Sequence, residues 1–207
     1  MIAIVDYGVG NLFSLECSLR AVGAGVVISS DAEVIKSADA IILPGVGAFE
    51  DAAKKLFSSG LAKTVVEEAN AGKLILGICL GMQLLFNKSY EYGVHEGLGL
   101  IDGEIRPISE VIPNGYKIPH IGWNKLSFIG EKSPIFKYIS DSDCVYFVHS
   151  YYAADCADNV IATAEYGYPL TAAVAKGNVF GCQFHPEKSG KVGLNILRAF
   201  CEMGEKK

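Results

Sequence analysis

Gly77-Ile78-Cys79-Leu80-Gly81-Met82-Gln83 stands between two apolar runs, Leu74-Ile75-Leu76 and Leu84-Leu85-Phe86, so a buried strand ends and a helix begins inside it. Cys79 falls at that junction. Its G-x-C-x-G spacing is the thiol counterpart of the G-x-S-x-G nucleophile elbow. In such an elbow small flanking residues let the chain turn sharply and hold the nucleophile up in a strained, exposed conformation. Gly77 and Gly81 are read as supplying the backbone freedom for that turn. A cysteine at a helix N-terminus also faces the positive end of the backbone dipole, which favours thiolate over thiol. A lone cysteine in an apolar stretch is otherwise a buried, inert side chain, so the reading needs a second feature.

Phe184-His185-Pro186-Glu187 supplies it, because a thiolate nucleophile needs a base and a group that orients the base. Residues two apart in an extended chain face the same side, and Pro186 biases His185 toward that conformation. The His185 ring and the Glu187 carboxylate therefore point to one place. The preceding run, Val179 to Phe184, reads as the strand that delivers them. His-Pro-Glu alone would describe a surface histidine beside a solvated glutamate; together the two stretches predict a cysteine nucleophile with its base.

The chain has 207 residues, half of them hydrophobic, which bounds it to one generous domain or two small ones with a sizeable core. A net charge of −5 with no cluster of Lys and Arg argues against a nucleic-acid partner. The six cysteines, Cys17, Cys79, Cys144, Cys156, Cys182 and Cys201, show no C-x-x-C pair that would suggest zinc or a redox dithiol. Such scatter suits a reduced compartment. Met1-Ile2-Ala3-Ile4-Val5 meets Asp6 without a basic or long apolar leader, and the longest apolar run is too short and too interrupted to span a membrane. A cytoplasmic protein without metal or cofactor is expected.

In chain order, Ile2 to Val5 reads as a strand, Asp6 to Asn11 as a glycine turn, and Leu12 to Val22 as a helix stopped by Gly23. Gly8 and Gly10 form a tight turn rather than a dinucleotide fingerprint, which would need a third glycine. Strands follow at 26–28 and 40–43, with a short helix at 32–37 between them. Pro44-Gly45-Val46-Gly47 is a loop with exposed amides, and helices near 50–58 and 61–71 precede the strand that leads to Cys79. This alternation predicts an α/β fold with an open, mostly parallel sheet and helices on both faces. Ligands in such sheets bind beyond the carboxyl ends of the strands, where the Asp6–Asn11 turn, the Pro44–Gly47 loop and Cys79 converge. After Asn87 the texture shifts to antiparallel strand signals at 98–108, 118–128, 144–153 and 160–165. Lys176-Gly177-Asn178 reads as a hairpin turn, and a final helix starts near Ser189. No repeat or composition break marks a second domain, so residues 1–207 are expected to form one.

With Pro44–Gly47, Gly77–Gln83 and His185–Glu187 in this order, the chain resembles the class I glutamine amidotransferases over nearly its whole length. Ile4–Asn11, Pro119–Asn124 and Phe147–Tyr151 narrow the resemblance to the glutaminase subunits of imidazole glycerol phosphate synthases, in histidine biosynthesis. The resemblance implies a Cys79–His185–Glu187 triad, with oxyanion donors from Leu80 and the Gly45-Val46 region. It implies that Gly47, Gln83, Glu91, Ser150 and Tyr151 line the glutamine pocket. A partner cyclase with a (β/α)8-barrel fold, forming a heterodimer, would receive the ammonia through a face carrying Asn11, Trp123, Tyr146 and Lys188. Trp123 would otherwise be read as a core aromatic. Glutaminases of pyridoxal phosphate or purine synthesis and γ-glutamyl peptidases share the triad. A flavodoxin-like redox-sensing protein would use Cys79 without an aligned base.

Overall fold

Three of the first four strands are buried from end to end, the pattern that parallel strands acquire when helices cover both faces of a sheet. In the computed structural model, which describes residues 1–204, the first half runs β1 (Ile2–Val5), α1 (Leu12–Ala21), β2 (Val26–Ser29), α2 (Ala32–Ser37), β3 (Ala40–Leu43), α3 (Phe49–Ser58), α4 (Leu61–Asn70), β4 (Leu74–Ile78) and α5 (Leu80–Leu84). The helix starts follow capping chemistry. The Asn11 side chain accepts the Ser14 amide before α1, and the Asp31 carboxylate accepts the Glu33 amide at 2.8 Å before α2.

The second half contributes β5 (Lys88–Ser89), β6 (His95–Glu96), β7 (Glu104–Pro107), β8 (His120–Lys125), β9 (Ser127–Phe128), β10 (Cys144–His149), β11 (Tyr151–Ala154), β12 (Val160–Glu165), β13 (Pro169–Lys176), β14 (Val179–Cys182) and the C-terminal helix α6 (Gly190–Gly204). The main sheet has the order β2-β1-β3-β4-β14-β13-β12-β9. Its first five strands are parallel, and the last three join antiparallel. Two smaller sheets, β10-β8 and β11-β7-β5-β6, flank it.

Alternation along each central strand divides the core in two. Ala3, Val5, Ile41, Leu43 and Ile75 face α2, α3 and α4. Ile2, Ile4, Ile42, Leu74 and Leu76 face α1 and α6, where Leu15, Leu19, Ile196, Leu197 and Phe200 close the layer.

The later strands are shorter than their sequence signals. The apolar stretch 98–108 keeps only β7 as strand, because Leu98 and Leu100 donate to the carbonyls of Leu84 and Leu85, both at 2.8 Å, and close the end of α5. The stretch 144–153 is two strands. Ser150 breaks it, so β10 pairs with β8 while β11 pairs with β7. The Lys176-Gly177-Asn178 hairpin is present, with Gly177 at φ +60°. Among the described residues no helix is long and apolar enough to cross a membrane.

Candidate active site

Cys79 is the residue between β4 and α5, and its backbone sits at φ +54°, ψ −111°, a region that non-glycine residues rarely occupy. Such a conformation costs on the order of 1–3 kcal/mol and persists only where the surroundings impose it. Here the Cys79 amide donates to the Cys182 carbonyl at 2.7 Å, and the Cys79 carbonyl accepts the Gln83 amide at 3.1 Å. The flanking glycines serve a different purpose from the one the motif suggests. Neither Gly77 nor Gly81 adopts positive φ; both are needed for space. A Cβ on Gly77 would stand 2.6 Å from the Gly81 carbonyl oxygen, and one on Gly81 would stand 1.9 Å from that of Leu43. The strain is therefore concentrated on Cys79 itself. With five residues, α5 is too short to carry a large dipole.

The register of β14 against β4 brings the second motif to the first. Cys182 lies opposite Ile78, so the chain leaving β14 passes directly beside Cys79. His185 and Glu187 are buried, with Nδ1 of His185 2.8 Å from Oε1 of Glu187. Cys79 lies on the same side of the cleft as His185 and acts on its ring electrostatically. Burial alone would lower the His185 pKa, but the interactions with Cys79 and Glu187 reverse this and raise it to about 9.

The Pro44–Gly47 loop packs on the elbow. A Cβ on Gly45 would be 2.7 Å from the Gly81 amide nitrogen, so the approach of the two backbones requires glycine there. Tyr7, from the turn after β1, donates its hydroxyl to the Pro44 carbonyl at 2.6 Å and pins that end of the loop. The other end is Gly47, at φ +94°. The three loops expected at the strand ends thus meet around Cys79.

A cleft of about 590 Å³ opens over this point. Val46, Gly47, Leu80 and Gln83 line one side with Cys79 and His185; Glu91, Ser150 and Tyr151 line the other. Glu91 is also committed locally, since its Oε2 accepts the Phe49 amide at 2.6 Å and caps α3, while burial raises its pKa. Of the four residues expected on a partner face, Trp123 and Tyr146 meet with centroids 4.8 Å apart and planes tilted by 60°, and the Lys188 ammonium lies 5.9 Å from the Tyr146 ring. Asn11 sits apart, bordering a small cavity with Gly45, His185 and Glu187. Trp123 is 62% exposed, which removes the core reading of this residue.

Sequence reasoning passed over Gln183 and a histidine pair. Gln183 is two residues before His185, and the same alternation that aligns positions 185 and 187 would have found it. His120 and His149 are opposite each other on β8 and β10 and share a hydrogen bond of 2.9 Å between Nδ1 and Nε2. Only pairing of the two strands reveals them. Burial lowers the His149 pKa to about 4; His120 and His185 push the same way, against the bond from Nδ1 to the Tyr151 carbonyl.

The unfolded chain therefore takes up this proton near pH 6.5 and the folded chain only near pH 4. Between those values the unfolded state binds more protons, so stability falls as pH falls, by on the order of 3 kcal/mol from this group. Chemical denaturation at pH 6.5 and at pH 4.5 checks this. His149→Gln should flatten the dependence, and an unchanged slope in that variant would contradict it.

Comparison with known proteins adds an independent finding. The family model described as glutamine amidotransferase class-I matches residues 3–203. Imidazole glycerol phosphate synthase subunit HisH of Caldanaerobacter subterraneus subsp. tengcongensis is 51% identical over 204 residues, 98% of each chain. The protein of the same name from Wolinella succinogenes is 48% identical over 206 residues, 99% of this chain and 100% of its own. Among solved structures, one described as a glutamine amidotransferase superposes with a TM-score of 0.77 at 18% identity, covering 99% of this chain and 100% of that one. A glutamine amidotransferase from Thermotoga maritima gives 0.68 at 15% identity, covering 100% and 98%. At these identities the structures share the fold.

Proposed function

Because the chain belongs to the class I glutamine amidotransferases, and within them to the family of the HisH subunits of imidazole glycerol phosphate synthase, we propose that Cys79, His185 and Glu187 perform its glutaminase chemistry. The observation that carries this reading is the strained Cys79 and the Glu187-bonded His185 lining one cleft together. The Cys79 sulfur attacks the γ-carboxamide carbon of glutamine. The oxyanion that forms is held by the Leu80 amide and by an amide from the Gly45-Val46 region. Collapse breaks the C–N bond; His185 gives its proton to the leaving nitrogen, and ammonia departs. His185 then takes a proton from water as the water attacks the γ-glutamyl thioester, glutamate leaves, and the sulfur is regenerated. Glu187 holds the imidazole in place and stabilises its charge.

Gly47, Gln83, Glu91, Ser150 and Tyr151 form the glutamine pocket in this reading. Residues 1–207 work as one cytoplasmic domain, paired as a heterodimer with a cyclase barrel that uses the ammonia to cleave and close a phosphorylated ribulosyl nucleotide intermediate into imidazole glycerol phosphate and the aminoimidazole carboxamide ribotide. The exposed Trp123 with its partner ring Tyr146, together with Lys188 and Asn11, is the docking face. Release of glutamate from glutamine, measured for the chain alone and with the cyclase, tests the reading: glutamate should appear with the partner present. Absence of glutamate under both conditions would overturn it.

Lys188 follows Glu187 directly and is exposed. An exposed ion pair is worth about 0.2–1 kcal/mol, so Lys188→Ala should weaken partner affinity by no more than about fivefold. It should lower the ratio of cyclase product formed to glutamine consumed. Unchanged coupling would remove Lys188 from ammonia transfer.

A further inference from the structure

Gln183 is completely buried, yet its side chain reaches the nucleophile: Nε2 lies 3.7 Å from the Cys79 sulfur. Its Oε1 is 2.9 Å from Nε2 of Gln83, and that same nitrogen is 3.3 Å from the Tyr151 carbonyl oxygen. The Tyr151 carbonyl can only accept, and it also takes the Nδ1 proton of His149 at 2.8 Å. Gln83 must therefore present its NH2 group to it. Since one nitrogen serves both partners, the atom of Gln183 that faces Gln83 must be its oxygen. The NH2 group of Gln183 is then turned toward sulfur. The amide orientation thus follows from an acceptor-only group at the far end of the chain of bonds.

We propose that Gln183 is a further catalytic residue of the glutaminase reaction: a hydrogen-bond donor to the Cys79 sulfur, aimed by Gln83 acting as a positioning residue anchored on the Tyr151 carbonyl. An N–H donor binds an anionic sulfur more strongly than a neutral thiol. Gln183 therefore favours the reactive form of the nucleophile before glutamine arrives, and again when the thioester is hydrolysed and the sulfur leaves. His185 acts on the same sulfur from the other side and carries the mobile proton; Gln183 has no proton to give up and supplies a fixed dipole. The arrangement also couples the substrate pocket to the nucleophile, because Tyr151 and Gln83 border both. This proposal rests on Cys79 being the nucleophile.

The test is the pH dependence of Cys79 alkylation by iodoacetamide, followed at that residue by peptide mapping and carried out without glutamine. The titratable groups facing Cys79 are His185 after β14, Tyr7 after β1 and Cys182 on β14, and all stay in place in the variants. Gln183→Met, of similar volume and without a donor, should move the alkylation midpoint upward. It should also lower kcat/KM for glutamine about tenfold or more, the usual value of a hydrogen bond to a charged group. Gln83→Met should move the midpoint less, and should add nothing in the Gln183→Met background. An unchanged midpoint in Gln183→Met overturns the proposal, and full additivity of the two changes overturns the aiming role of Gln83. If Gln183→Met does not fold, the side-chain NH2 resonances of Gln183 in the unaltered chain should shift with the alkylation midpoint; constant resonances would count against it. A Cys79→Ala protein that kept its glutaminase activity would instead reject the nucleophile, an outcome separable from failure of Gln183.

Discussion

Cys79→Ala is expected to lower glutamine hydrolysis by on the order of 10⁴-fold or more, while the assembled complex continues to make cyclase product from added ammonium salt. The first half of the expectation follows from geometry. Among the described residues, Cys79 combines a strained backbone, a place in the cleft and an electrostatic interaction with the His185–Glu187 pair. The second half follows from the separation of the chemistry, since nothing at Cys79 acts on the partner's substrate. His185→Asn should cost nearly as much, because members of one triad do not contribute additively. Steady-state assays with glutamine and with ammonium, on the same preparation, check both halves. Loss of ammonium-dependent turnover in an intact complex would show that Cys79 does more than release ammonia, and normal glutamine turnover in His185→Asn would remove His185 from the mechanism.

The second large effect concerns activation. The free chain is expected to hydrolyse glutamine slowly and the complex with a ligand-loaded cyclase to do so roughly 100- to 1,000-fold faster, the usual value of one oxyanion donor. The structure narrows where that donor resides. Tyr7 fixes the Pro44 carbonyl, so reorientation of the Gly45–Val46 peptide turns ψ of Gly45 and φ of Val46, and Gly47, at φ +94°, takes up the compensating change. A Cβ at Gly47 meets no neighbour within 4 Å, which makes Gly47→Ala a change of backbone preference alone. Gly45→Ala would displace the elbow and lower the basal rate as well. The ratio of kcat for the loaded complex to kcat for the free chain should therefore be diminished in Gly47→Ala. Stimulation unaffected by Gly47→Ala, or a free chain already as fast as the loaded complex, would place regulation in substrate access instead.

The parallel half of the fold was legible because its signals are local: four short apolar strands, helical spacing of apolar residues and glycine turns between them. The C-terminal half was legible in texture only. Its strands sort into three sheets according to partners far away in sequence, and the Ser150 break between β10 and β11 has no mark in the apolar run that contains it. The site divides in the same way. Cys79, His185 and Glu187 stand in motifs whose spacing carries their chemistry. The role of Gly77 and Gly81 was misread because a motif shows that a small residue is required without showing whether torsion or space requires it. The His120–His149 pair depends on strand register, which brings β8 against β10, whereas Gln183 was within reach of the alternation that aligns His185 and Glu187. Trp123 was undecided between core and surface, since an aromatic on a two-sided strand suits either.

A glutamine-mimicking diazoketone, which alkylates a thiol only after binding as substrate, tests most directly whether Cys79 is the nucleophile of this site. The chain should lose glutaminase activity in proportion to labelling, with the label found by peptide mapping on the Cys79 peptide and with glutamine protecting against it. Inactivation with the label on Cys182 or any other cysteine, or full labelling of Cys79 with activity retained, would contradict the assignment.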